Sequence, residues 1–235
     1  VVDEFGAPLD DVSFEYADGE RAESDGDGNF EIDIAQPVAG VLTATGKLTE
    51  PLVVSPTDDD ISVRLFDRVG PNGLRLAYHF GGDVMLGRRY QANTREGTAL
   101  ANDATAARAV VSDLTPLTAS ADMTVVNVET VIGDLADDQA LAGKRFLIQS
   151  PPQILDSLRE LGVDAVTLGN NHANDWGDLG VLSTFSTLGP TGIVRPGAGG
   201  SREDATRGVL VNAGGRLVGR VSATTVNGDF VNDEL

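Results

Sequence analysis

The hydrophobic period changes once along this chain, and that change limits the fold more than any other feature. Up to about residue 68, apolar residues recur at every second position. "GAPLDDVSFEYADG" alternates at Val12, Phe14 and Tyr16, and "SDGDGNFEIDI" places Phe30, Ile32 and Ile34 two apart after a Gly/Asp turn. "GVLTATG" and "DISVRLFD" supply two more short strands. Period two marks half-buried strands, and several short strands with close turn signals predict a small all-β sandwich over 1–68. "RVGPNG" combines Gly, Pro and Asn, which break any periodic element, so residues 69–73 read as a linker.

From residue 74 the period alternates between strand and helix. "LRLAYHF", "MTVVNV", "DAVTL", "GIVRP", "GVLVNA" and "LVGRVSA" read as strands. A helical stripe runs through Ala107, Val110, Val111, Leu114 and Leu117. A second helix is predicted in "SPPQILDSLRELG", capped by Ser150 and Gln153 and carrying Ile154, Leu155, Leu158 and Leu161 on one side. A third covers 178–188. Such alternation predicts an α/β domain over 74–235, with a mixed sheet and flanking helices.

The polar chemistry gathers where those strands end. Gly81-Gly82-Asp83 follows the first, Asn127-Val128-Glu129-Thr130 closes the second, and Asn170, Asn171, His172, Asn174 and Asp175 follow the third. Open α/β sheets bind ligands outside the carboxyl ends of their strands, so adjacent strands would bring the three clusters into one crevice. Asp, Glu, Asn and His without sulfur suit Mg, Mn, Fe or Zn in hydrolytic sites, and a histidine beside them suits proton transfer. His79 is expected to serve as structure and Trp176 to pack over the loop. Asp25, Asp27 and Asn29 imitate the start of a calcium loop. That loop requires Gly at position six and Glu at position twelve, where this chain has Phe30 and Gln36, so a turn is expected instead.

Composition narrows the partners. A net charge of -19, with a pI near 4.2, argues against nucleic acid and against an anionic membrane surface. There is no cysteine, hence no disulfide and no thiolate metal site. No apolar run reaches the length of a membrane span. The chain opens at Val1 inside a pattern already under way, so it is expected to be a piece of a longer protein. A sheet cut short would expose an edge, and the piece alone is expected to be marginally stable.

Two resemblances follow from these motifs. "GAPLDDVSFEY", "SDGDGNFEI" and "ISVRLFD" resemble the carboxypeptidase-regulatory-like modules of secreted and surface proteins. "FGGDVMLGR", "VVNVET", "VTLGNNHANDWG" and "GIVRPGAG" resemble, in order and spacing, the CapA family of bacterial capsule and poly-γ-glutamate synthesis. That family is similar in fold to the calcineurin-like metallophosphoesterases. The resemblance implies metal ligation by Asp83, Asn127, Glu129 and Asn171, with His172 as a transition-state acid and Asp175 beside it. Arg88, Arg89 and Arg145 are candidates to bind an anionic substrate. The chain departs from the phosphoesterase pattern at Met85, where a histidine stands in the family, and at Asn127, where a bridging aspartate stands. It also lacks the late histidine motifs.

Three functions are therefore expected to compete. One is a divalent-metal-dependent phosphoesterase-like hydrolase of the cell envelope or exterior, acting on a phosphoester or an anionic polymer. The others are a non-catalytic assembly factor among capsule-synthesis proteins, and a metal-free acid/base enzyme using His172 with Asp175 or Glu129.

Overall fold

The computed structural model describes residues 1–16, 19–58, 60–87, 103–144 and 146–224. The chain divides into two compact units. The first comprises Val1–His79 and Ser112–Asp122, the second Phe80–Val111 and Met123–Leu235.

The first unit carries β1 (Val2–Asp3), β2 (Ser13–Tyr16), β3 (Glu20–Glu23), β4 (Val38–Thr43), β5 (Glu50–Val54), β6 (Arg64–Leu65), β7 (Val69–Gly70) and β8 (Gly73–Leu74). Four of them form an antiparallel sheet in the order β3-β2-β4-β5, with Phe14 opposite both Ala22 and Leu42. Val12, Phe14, Leu42, Val54 and Leu65 are its buried core. Each such side chain contributes about 1.5–3 kcal/mol when removed from water. Residues 69–73, expected as a linker, carry the antiparallel hairpin β7–β8.

The strand predicted over Phe30, Ile32 and Ile34 does not form a ladder, although those three side chains do pack on the core. Their alternation is real, and the Phe30 ring lies 5.8 Å from that of Phe14. Period two reports which side chains face inward, and it does not guarantee a hydrogen-bonded neighbour. The Gly/Asp run before it closes a turn: Asp25 Oδ1 accepts from the N–H groups of Asp27 and Asn29 at 3.0 and 2.9 Å.

The second unit is built on β9 (Tyr78–Val84), whose first two residues belong to the first unit, and on α1 (Ala104–Ala109). After α2 (Thr115–Thr118), a first-unit element, come β10 (Met123–Val128), β11 (Val131–Ile132), β12 (Gln149–Ser150), α3 (Ile154–Glu160) and β13 (Ala165–Thr167). The remaining elements are α4 (Gly177–Leu188), α5 (Arg202–Thr206), β14 (Val209–Ala213) and β15 (Arg216–Arg220). The helix predicted over 104–117 is thus broken. Asp103 caps α1 by accepting from Thr105 N–H, and Val110 and Leu114 are exposed.

The sheet that positions the polar clusters has the order β13-β10-β9, with β10 and β13 parallel and Val125 opposite Ala165. Val194 adds a parallel bridge on the far side of β13. The strand β10 is buried on both faces, and Asn127 is its one half-buried position, as expected of a central strand in an α/β domain. Beneath it pack Leu86, Val126, Val128, Ile154, Leu158, Val166, Leu168 and Leu188. The α3 stripe is the predicted one, but its cap is not. Ser150 Oγ accepts from Leu86 N–H at 2.8 Å, and Gln153 makes no side-chain cap. The serine serves a tertiary contact in place of the local one.

The architecture is a mixed α/β chain with several sheets and few helices. No described helix is long and apolar enough to cross a membrane.

Candidate functional site

The first polar cluster does not follow its strand but lies within it. β9 continues to Val84, so Asp83 is the strand's penultimate residue and is exposed. Gly81 allows this continuation: a Cβ there would meet Val126 Cγ1 of the neighbouring strand at 2.9 Å. Asn127 stands near the end of β10, and Glu129 is half-buried just beyond it. Asn170, Asn171, His172 and Asp175 occupy the loop between β13 and α4. Gly169 opens that loop. Its N–H donates to Ser222 Oγ at 3.1 Å, and a Cβ would lie 2.6 Å from the same oxygen.

Hydrogen bonds join the three clusters. Asn127 Nδ2 donates to Asp83 Oδ1 at 2.7 Å. Asn127 Oδ1 accepts from Asn170 Nδ2 at 3.0 Å and from Thr167 Oγ1 at 3.2 Å. Asn170 Nδ2 also donates to Val128 O at 2.9 Å, and Asn170 Oδ1 accepts the His172 backbone N–H at 3.0 Å. Hydrogen bonds thus bring Asp83, Asn127 and the loop together.

A second network holds the histidine ring. Asp175 is fully buried, and its Oδ2 lies 2.8 Å from His172 Nδ1 while accepting Ile148 N–H at 2.6 Å. Its Oδ1 pairs with Lys144 Nζ, which also donates to Asn171 O. With donors on both carboxylate oxygens, the carboxylate is an acceptor throughout, so His172 Nδ1 carries its hydrogen. In the neutral ring Nε2 then holds the lone pair, an assignment that rests on the network. Trp176 is buried over this loop with its indole N–H on Ala136 O at 2.9 Å.

Lys144 and Asn170 are the two functional side chains for which the sequence reading assigned no role. Lys144 carried a signal, since only Lys47 accompanies it as a lysine in this chain. Arg88, Arg89 and Arg145 lie outside the described residues. Among the described residues, no group of three or more His, Cys, Asp or Glu is arranged to hold a metal ion. The amide of Asn127 turns its N–H2 toward Asp83 and its oxygen away. As arranged, these donors do not fit a two-metal centre bridged at position 127, which requires an oxygen there.

A parallel pair of central strands, with polar side chains joined by hydrogen bonds at their carboxyl ends and a histidine oriented by a buried carboxylate, belongs to an α/β domain. The sequence profile described as bacterial capsule synthesis protein PGA_cap matches residues 78–234, and the chain belongs to that family. A "probable polyglutamine synthesis accessory protein" of Mycobacterium tuberculosis is 32% identical over 105 residues, covering 43% of this chain and 27% of that protein. An uncharacterised protein of Sinorhizobium fredii is 32% identical over 118 residues, covering 48% of this chain and 25% of its own length. The chain thus spans about a quarter of the length of these relatives.

Proposed function

We propose that this protein serves the synthesis of an anionic envelope polymer of the poly-γ-glutamate kind, and that its α/β domain works as an acid/base site centred on His172. The family supports the polymer, as does the M. tuberculosis relative named for polyglutamine synthesis. The observation that carries the chemistry is the buried Asp175 held on His172 Nδ1. A ring fixed in this way presents Nε2 to a substrate. It can take a proton from an attacking group and return it to a leaving oxygen or nitrogen, a role worth about 10²–10⁴-fold in rate. The substrate would be a phosphoester or another linkage of the anionic polymer or its precursor. Arg88, Arg89 and Arg145 would offset its charge in an otherwise acidic protein. The order of the three clusters on the sheet supports a metallophosphoesterase-like domain, and the first unit, read as a regulatory-like β-sandwich, would place it at the cell envelope or outside the cell.

A divalent-metal-dependent hydrolase is the competing reading. The exposed Asp83 carboxylate and the Asn171-His172 pair favour it, as possible holders of Mn, Mg, Fe or Zn. An assembly role among capsule-synthesis proteins is the third. One experiment separates them: polymer output in cells whose only copy of the full-length protein carries His172→Gln or Asp175→Asn, with protein level and metal content measured alongside. On the acid/base reading both variants lose polymer by about 10²-fold or more while the protein level holds. Undiminished polymer in His172→Gln would sink the reading and leave the assembly role. Stoichiometric metal that departs with Asp83→Ala, together with loss of output, would favour the hydrolase.

A further inference from the structure

The amides of Asn127 and Asn170 have no freedom to choose which end faces which neighbour. The backbone N–H of His172 can only donate, so it requires an oxygen at the facing end of Asn170, and finds Oδ1 at 3.0 Å. The backbone carbonyl of Val128 can only accept, so it requires the nitrogen of Asn170, and finds Nδ2 at 2.9 Å. Two backbone groups of opposite polarity therefore fix Asn170 from both sides. Its nitrogen also points at Asn127, which must answer with an oxygen, and does so at 3.0 Å. Thr167 Oγ1 donates to that same oxygen at 3.2 Å. The remaining end of Asn127 is its N–H2, and this is the end that meets Asp83 Oδ1 at 2.7 Å.

Turning Asn127 over would set its N–H2 against the N–H2 of Asn170. Turning Asn170 as well would set an N–H2 against the His172 N–H and an oxygen against the Val128 carbonyl. Each mismatch at these half-buried groups is unfavourable, by up to about 1–3 kcal/mol, so the whole row keeps one polarity. That polarity originates in the backbone of the loop after β13 and ends at a carboxylate on β9.

We propose that Asn127 is a hydrogen-bond donor that holds Asp83, with its direction imposed by Asn170 as a positioning residue, and that it is not an oxygen ligand to a bridging metal. An amide at the position where the metallophosphoesterase pattern has a bridging carboxylate is then a change of role. A carboxylate at 127 would present an oxygen to any cation beside Asp83. The amide presents hydrogen and stabilises the Asp83 carboxylate by a charge-assisted hydrogen bond. The proposal is independent of the acid/base reading, since it concerns no atom of the His172 ring.

The test is Mn²⁺ binding to the chelator-treated full-length protein, by titration calorimetry and by the electron paramagnetic resonance of free Mn²⁺. Asn127→Ala is expected to bind Mn²⁺ no more weakly than the unaltered protein, because no ligand has been lost and a donor that competes for Asp83 has been removed. Asn127→Leu, of similar size and without oxygen, replaces it if the alanine variant does not fold. Asn127→Asp is expected to bind at least about tenfold more tightly, because an oxygen now faces Asp83. Asn170→Asp is the sharper probe. It removes the N–H2 that fixes Asn127, so the Asn127 amide can turn its oxygen to a cation bound beside Asp83, and Mn²⁺ again binds more tightly. A tenfold loss of Mn²⁺ affinity in Asn127→Ala would show that the amide oxygen was a ligand and overturn the proposal. So would Asn127→Asp and Asn170→Asp variants that fold, by circular dichroism, and bind no better than the unaltered protein.

Discussion

Asp25 and Asp83 stand in similar surroundings in the sequence, each with two glycines within three residues, in "SDGDGN" and "FGGDV". Their fates in the structure differ. Asp25 closes on itself within four residues, its Oδ1 taken by the N–H groups of Asp27 and Asn29. Asp83 has its partner 44 residues away, on another strand, and that partner is oriented by a loop more distant still. The Asp25 carboxylate spends one oxygen on the turn that contains it. Asp83 meets its partner through the sheet and remains exposed near the end of β9. The same residue types therefore yield a turn in one unit and a candidate site in the other.

Substitutions can break or sharpen this contrast. The largest effect is expected at the buried anchor of the loop. Asp175→Ala removes one partner of the Lys144 pair and strands the Ile148 N–H and the His172 ring, which should cost about 3–5 kcal/mol. Urea unfolding would read it, and a loss under 1 kcal/mol would mean that Lys144 and Asp175 are not paired in solution. Next comes Asn170→Ala, which leaves the His172 N–H and the Val128 carbonyl without their partner, for about 1–3 kcal/mol. Asp25→Ala should cost less, about 0.5–1.5 kcal/mol, because water reaches the freed N–H groups of an exposed turn. If the Asp25 variant proved the more damaging of the two, the contrast between local and tertiary satisfaction would fail.

The smallest effect concerns pH. Burial pushes the Glu50 carboxyl above its ordinary value of 4.5, with the charge of His79 pulling the other way. The folded chain then holds this proton longer than the unfolded one. Its contribution is fully present below the unfolded value and is lost as pH rises through the raised one. Glu50→Gln should remove that loss, giving a slightly flatter decline in stability above pH 4.5, measurable as melting temperature against pH. Glu50 is exposed by surface area, so solvent screening keeps the effect small. A steeper decline in the variant would reverse the assignment.

Much of this was legible in the sequence, and the exceptions share a cause. The strands at 123–128 and 165–167, the helix from 177 to 188 and the apolar stripe of α3 follow from hydrophobic period. The polar clusters at the ends of β10 and β13 also stand where the sequence has those strands end, whereas Gly81-Gly82-Asp83 lies inside β9. Period failed where an element needs a partner that the window does not contain. The segment around Ile32 alternates correctly but forms no ladder, and the stripe through Leu114 is cut because its residues divide between the two units. Ser150 kept its capping signature and gave its hydroxyl to Leu86.

For the site, the sequence by itself determined which residues arrive at the carboxyl end of the sheet: Asp83, Asn127, Glu129, Asn171, His172 and Asp175. It also supplied the family, through the order of its motifs. Only the tertiary structure decided what those residues do to one another. Lys144 reaches Asp175 across 31 residues, and the polarity of Asn127 is dictated by Asn170, 43 residues on. Spacing along a chain records where a side chain can be delivered. The direction of a hydrogen bond depends on whether its neighbour in space can donate or accept, and that neighbour is chosen by the packing of the strands.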